Sequence, residues 1–215
     1  MSSGRERSHR EREESKGTKF PYERILIVTE GRKTEPNYFK EIRVQLRLSE
    51  LFIKVLNCST GTAPLQIVDF LEAILKGNKA YDAGYCVFDR DEHPGYSEAI
   101  EKAGRLNGKM RSDEGRPIRI RAIYSNPCFE LWLLSHFPER VERHIERDEA
   151  FSLVKKCLPG YEKGSTGVFA RTRDKLDEAY VHAERMRRLC QDRDTDNPWT
   201  LVDELVKKLL SQGKA

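Results

Sequence analysis

Three acidic side chains stand directly after two short apolar runs, and together they could hold a divalent cation. Glu30 lies in Thr29-Glu30-Gly31, which follows Ile25-Leu26-Ile27-Val28. Asp89 and Asp91 flank Arg90 and follow Gly84-Tyr85-Cys86-Val87-Phe88. Runs this short and apolar read as strands buried on both faces of a sheet, the pattern of central parallel strands. The carboxyl ends of such strands face the crevice of an open α/β sheet. If the two strands are neighbours, about 5 Å apart, Glu30, Asp89 and Asp91 converge on one spot. Carboxylates brought together repel one another unless a cation sits between them. The chemistry suggested is a magnesium (or manganese) site.

The elements that must position these groups run strand, helix, strand, helix, strand, helix, strand from Arg24 onward. The first helix starts near Glu35, with Thr34 as N-cap and Pro36 in its first turn. Phe39, Ile42 and Leu46 give it one apolar stripe. Residues 52–56 form the second strand. The second helix, 64–76, presents Leu65, Val68, Leu71 and Leu75 and stops at Gly77. The third strand covers 84–88, and the third helix, 97–107, carries Ile100, Ala103 and Leu106.

The fourth strand, 118–124, alternates Ile118, Ile120 and Ala122 with Arg119 and Arg121, so one face is wet and an edge position suits it. Right-handed crossovers and this burial difference favour the order 2-1-3-4. The expected fold class is α/β, with a four-stranded, mainly parallel sheet. After Asn126 the pattern turns helical over 127–137, 148–158, 168–190 and 200–210, the last opening on a Thr200/Asp203 capping box. The expected division is a charged tail over 1–21, an α/β domain over 22–137 and a helical extension over 138–215.

Composition narrows the class. A chain of 215 residues holds one domain with a sizeable core, or a core plus a small appendage. Its charged fraction of 34% against 38% hydrophobic describes a very polar protein, and no apolar run approaches the roughly 18 residues needed to cross a bilayer. The N-terminus is charged rather than apolar, so no secretory signal is expected and a cytoplasmic home follows. Five scattered cysteines without a C-x-x-C pair read as buried reduced thiols. The formal net charge of +4 permits a polyanionic partner without demanding one. Residues 1–21 mix Arg and Glu with almost nothing apolar, which reads as a disordered solvated tail or as an arm touching nucleic acid or a partner.

Other candidates each carry two readings. Arg32 and Lys33 sit beside the acid at the helix mouth and could receive phosphate, or be ordinary surface charge. Glu35 in the first helical turn suits the helix dipole, or joins the site. Glu130 stands among Phe129, Leu131, Trp132, Leu133 and Leu134, where an unpaired buried carboxylate is costly. It either faces outward or enters the crevice. Ser125 and Asn126 at the fourth strand's end are substrate contacts or N-caps. His136 packs against the helix end, or acts in catalysis, and His93 lines the loop after Asp91. A P-loop is absent, as is any recognisable Ser-His-Asp elbow.

A strand ending T-E-G, a helix and a later strand ending D-x-D is the pattern of the Toprim fold of topoisomerases, primases and overcoming-lysogenization-defect nucleases. The longer stretches, ILIVTEGRKTEPNYF over 25–39, FDRD over 88–91 and SNPCFELWLLSHF over 125–137, closely resemble the RloB family. Asn197-Pro198-Trp199-Thr200 and the helix after it are similar to that family's end, so the resemblance covers about residues 22–211.

The resemblance implies a Toprim-like nuclease of prokaryotic anti-phage defence, active in restriction islands or abortive infection beside a neighbouring-gene ATPase of the ABC/AAA type. It would give Glu30 a general acid/base role, or ligation through metal-bound water. Asp89 and Asp91 would hold magnesium directly. Lys163, in the loop with Tyr161, would stabilise transition-state charge, as a lysine does in some fold relatives, or be a plain loop lysine. Three functions compete: a metal-dependent phosphodiesterase acting on DNA or RNA, a non-catalytic effector or scaffold docking on the ATPase, and a D-x-D nucleotidyl- or glycosyltransferase.

Overall fold

The computed structural model describes residues 22–90, 95–138 and 141–214. The expected tail over 1–21, Asp91 and His93 therefore lie outside the described residues.

Two strands without a polar residue before their tips occupy the middle of the sheet, as their composition dictates. These are β1 (Ile25–Thr29) and β3 (Ala83–Asp89), buried along their whole lengths. They pair in parallel, with Thr29 opposite Val87. β2 (Ile53–Asn57) flanks β1, and β4 (Arg119–Asn126) flanks β3, both parallel. The order 2-1-3-4 is present, but the sheet has a fifth member. β5 (Trp199–Thr200) lies antiparallel on the tip of β4, pairing only with Ser125 and Asn126. Two residues are too few to leave a periodic signal, which is why the expected four-stranded sheet is one strand short.

One face of the sheet presents Leu26, Val28, Cys86 and Phe88 to α2 (Pro64–Gly77) and α3 (Tyr96–Leu106). The other presents Ile25, Ile27, Tyr85 and Val87 to α1 (Thr34–Gln45) and to the C-terminal helices. Those are α4 (Glu130–Leu134), α5 (Arg147–Cys157), α6 (Val168–Thr172), α7 (Leu176–Asp192) and α8 (Val202–Ser211). Apolar residues of all five continue one core with the sheet. Among the described residues no helix is long and apolar enough to cross a membrane.

Several helical boundaries differ from expectation for local reasons. Only Glu130–Leu134 of the 127–137 run is α-helical. The 168–190 run breaks after Thr172, whose hydroxyl donates back to the Val168 carbonyl at 2.9 Å, and a 3₁₀ turn, Arg173–Lys175, intervenes. Such back-bonding bends helices. Thr34 is the first helical residue rather than the cap, and its hydroxyl accepts the Gly164 amide at 3.0 Å. The Thr200/Asp203 capping box does not form: α8 has no side-chain cap, and Asp203 is taken by Arg187 at 2.6 Å.

At the amino-terminal end of the sheet, Arg24 is only 2% exposed. Its guanidinium donates to Asp82 at 3.1 Å and to Asp113 at 2.6 Å. This network fixes the start of β1 at the end opposite Glu30.

Candidate active site

Because β1 and β3 are parallel neighbours, their carboxyl tips deliver Glu30 and Asp89 to the same end of the sheet. The Asp89 amide donates to Glu30 Oε2 at 3.0 Å, and the Glu30 amide donates to the Val87 carbonyl at 2.9 Å. Four carboxylates, Glu30, Glu35, Asp89 and Glu130, line one cleft of about 290 Å³. Arg32, Lys33, Arg147 and Lys163 line it as well. It is small for a ligand site but sufficient for a phosphate group and an ion.

Each carboxylate arrives by a different route. Glu35 comes from the first turn of α1 and is buried, with its carboxylate folded back over Gly31. A Cβ built on Gly31 would fall 2.0 Å from Glu35 Oε2, so the absence of a side chain there is what seats Glu35. Glu130 opens α4 and points inward rather than outward. Its carboxylate accepts the Tyr161 hydroxyl at 3.0 Å. That bond answers the cost of burying a carboxylate among apolar residues.

The electrostatics follow from crowding in a poorly solvated place. Burial pushes Asp89 well above the usual carboxylate range, and Glu35 adds to the rise, while Arg147 opposes it. Burial raises Glu35 to about 7; Glu30 and Glu130 push the same way, while its own backbone hydrogen bond and Arg147 pull down. Burial, and then Glu130, raise the Tyr161 phenol, so it keeps its proton and stays a donor. Perturbed carboxylates gathered in a cleft are a mark of functional sites.

The donor set is all carboxylate oxygen, the chemistry that magnesium and manganese prefer. As arranged, however, no three His, Cys, Asp or Glu side chains among the described residues are placed to hold one metal ion. Asp89 Oδ2 instead accepts Nη2 of Arg147 at 2.6 Å.

Of the expected site residues, Glu30, Asp89, Glu130, Arg32, Lys33 and Lys163 do meet in the cleft. Ser125, Asn126 and His136 do not line it, and their side chains are committed elsewhere. The Ser125 and Thr200 hydroxyls hydrogen-bond at 2.9 Å across β4 and β5. Asn126 donates to the Asp196 carbonyl at 2.7 Å. His136 is fully buried, with its ring 4.6 Å from that of Trp132 and Nδ1 3.0 Å from the Trp132 carbonyl. Burial lowers its pKa to about 4, so it sits there as a neutral packed ring, the first of its two readings.

Sequence reasoning gave no role to Arg147 or to the Tyr161 hydroxyl. Arg147 opens a polar helix, and nothing local distinguishes it from surface charge. The nearest signal was the cost of burying Glu130, which requires some donor.

Fold and cleft define a mainly parallel α/β protein with an acidic crevice at the carboxyl ends of its inner strands. The family model of the RloB-like proteins matches residues 25–209, and the chain belongs to that family. No curated protein and no solved structure matches it.

Proposed function

We propose that this protein is a magnesium-dependent nuclease of the Toprim type, which hydrolyses phosphodiester bonds in DNA or RNA. It would serve cytoplasmic anti-phage defence together with an ATPase of the ABC/AAA class encoded by a neighbouring gene. The observation that carries this reading is the hydrogen bond of the Asp89 amide to Glu30, in a cleft shared with Glu35 and Glu130. Carboxylates converging from adjacent strand tips suit a hard cation, and the Arg32, Lys33 and Lys163 side chains on the same cleft suit a polyanion.

Asp89 would hold the ion directly, with Asp91 expected from the resemblance as a further ligand and Glu30 within reach of it through water. A bound magnesium there supplies charge neutralisation and a more acidic water. Glu30 would act as the general acid/base, or reach the ion through a bound water. Glu35, with its pKa lifted to about 7, is suited to hold a proton for the leaving oxygen. Lys163 and Arg32 would meet the phosphate charge. Tyr161 keeps Glu130 in place by its 3.0 Å hydrogen bond.

The test is cleavage of single- and double-stranded DNA, tRNA and other RNA with magnesium or manganese, with and without the ATPase. E30Q and D89N should abolish cleavage while leaving ATPase binding intact. Should both variants retain full defence against phage, the protein serves as a non-catalytic effector subunit instead.

A further inference from the structure

We infer that Arg147 is the resident cation of the cleft: its guanidinium stands on Asp89 where a divalent ion would bind, and it must move aside for that ion. The inference rests on the metal site proposed above and concerns what fills that site beforehand.

Asp89 is nearly buried, and its Oδ2 accepts Arg147 Nη2 at 2.6 Å. The two side chains come from distant parts of the chain, the tip of β3 and the first residue of α5. Near them lie Glu30, Glu35 and Glu130, all of the same sign. A crowd of carboxylates demands a positive charge, and an arginine supplies one that cannot be lost by deprotonation. The donor chemistry is present, although no three such side chains among the described residues are arranged around one point. The Asp89 oxygen that an ion would use is already engaged.

The backbone leading to Arg147 is held independently of the cleft. The Asn197 side chain accepts the Ile145 amide at 3.0 Å and donates to the Ile145 carbonyl at 3.0 Å. A paired bond of this kind fixes the chain two residues before Arg147, next to the β4–β5 junction. The guanidinium is carried on a long side chain, 35% exposed, whose rotation is the movement required.

Ion and guanidinium then compete for one carboxylate, and removing one competitor must strengthen the other. The experiment is calorimetric titration of Mn²⁺ into metal-free wild type, R147A, R147Q and D89N, each checked for folding by its thermal melt. R147Q keeps length and a donor but not the charge, so it covers the case in which R147A fails to fold. The expected result is binding on the order of tenfold tighter in R147A and R147Q than in wild type, and weakened binding in D89N. Equal or weaker binding in both Arg147 variants, with wild type binding and D89N impaired, overturns the exchange but leaves the metal site standing. Absence of Mn²⁺ binding in every protein overturns both.

Discussion

The Asp89 amide donates to the Glu30 carboxylate at 3.0 Å, so the acid at the tip of β1 is held by the backbone of β3. The bond follows from parallel pairing of two apolar strands and would survive replacement of either acid by its amide, since a glutamine carbonyl also accepts. E30Q is therefore a chemical rather than a structural probe of this bond, while D89N also removes the charge that pairs with Arg147.

Burial of Glu35 ties stability to pH. Its folded pKa of about 7 exceeds the ordinary 4.5, and Asp89 is shifted in the same direction. Below the unfolded value both states carry the proton, and the contribution to stability is complete. As pH rises toward 7 the unfolded chain releases the proton first, so stability falls across that window. Urea midpoints in EDTA should decline between about pH 5 and pH 7.5, and E35Q should flatten the decline. Identical slopes in both proteins would refute the assignment.

Gly31 separates folding from function. A Cβ at this position would strike Glu35 Oε2 at 2.0 Å, but the carboxylate is the free end of a flexible side chain and can move away. G31A should cost under about 1 kcal/mol in denaturant unfolding. Cleavage should fall by about 10²-fold, because misplacement of a site group by an ångström costs that much. A variant that unfolds without changing the rate of its folded fraction would show that the glycine serves the turn alone.

Arg24 makes the converse case, with stability involved and chemistry spared. R24A leaves Asp82 buried, still paired with Arg116 at 3.0 Å. The loss should be about 3 kcal/mol, the low end for breaking a buried pair. Well below its melting temperature the variant should cleave at the wild-type rate, since Arg24 lies at the other end of β1. A large loss of activity in fully folded R24A would mean that the two ends of the sheet are coupled.

Much of the scaffold was legible because it rests on short-range patterning. The unbroken apolar runs at 25–28 and 84–88 specified inner strands, and the Arg119/Arg121 alternation placed β4 outside β3. Strand neighbours then made Glu30 and Asp89 neighbours. What escaped was long-range. The β4–β5 pairing depends on Ser125 meeting Thr200, and no periodicity reports a two-residue bridge across 75 positions of chain. Arg147 reaches the cleft, and Tyr161 reaches Glu130 behind it, from a helix and a loop whose local sequence is ordinary. For His136 the sequence left two readings open, because a histidine at a helix end has the same letter whether it is packed or catalytic.

The most direct measurement of the central claim is the position of manganese in a crystal, read from its anomalous scattering at saturating Mn²⁺. The account predicts a peak between the tips of β1 and β3, with Asp89 as a direct ligand, Glu30 within water-bridging reach and the Arg147 guanidinium moved off Asp89. A cleft without a peak, with Arg147 still paired to Asp89 at saturation, would contradict it.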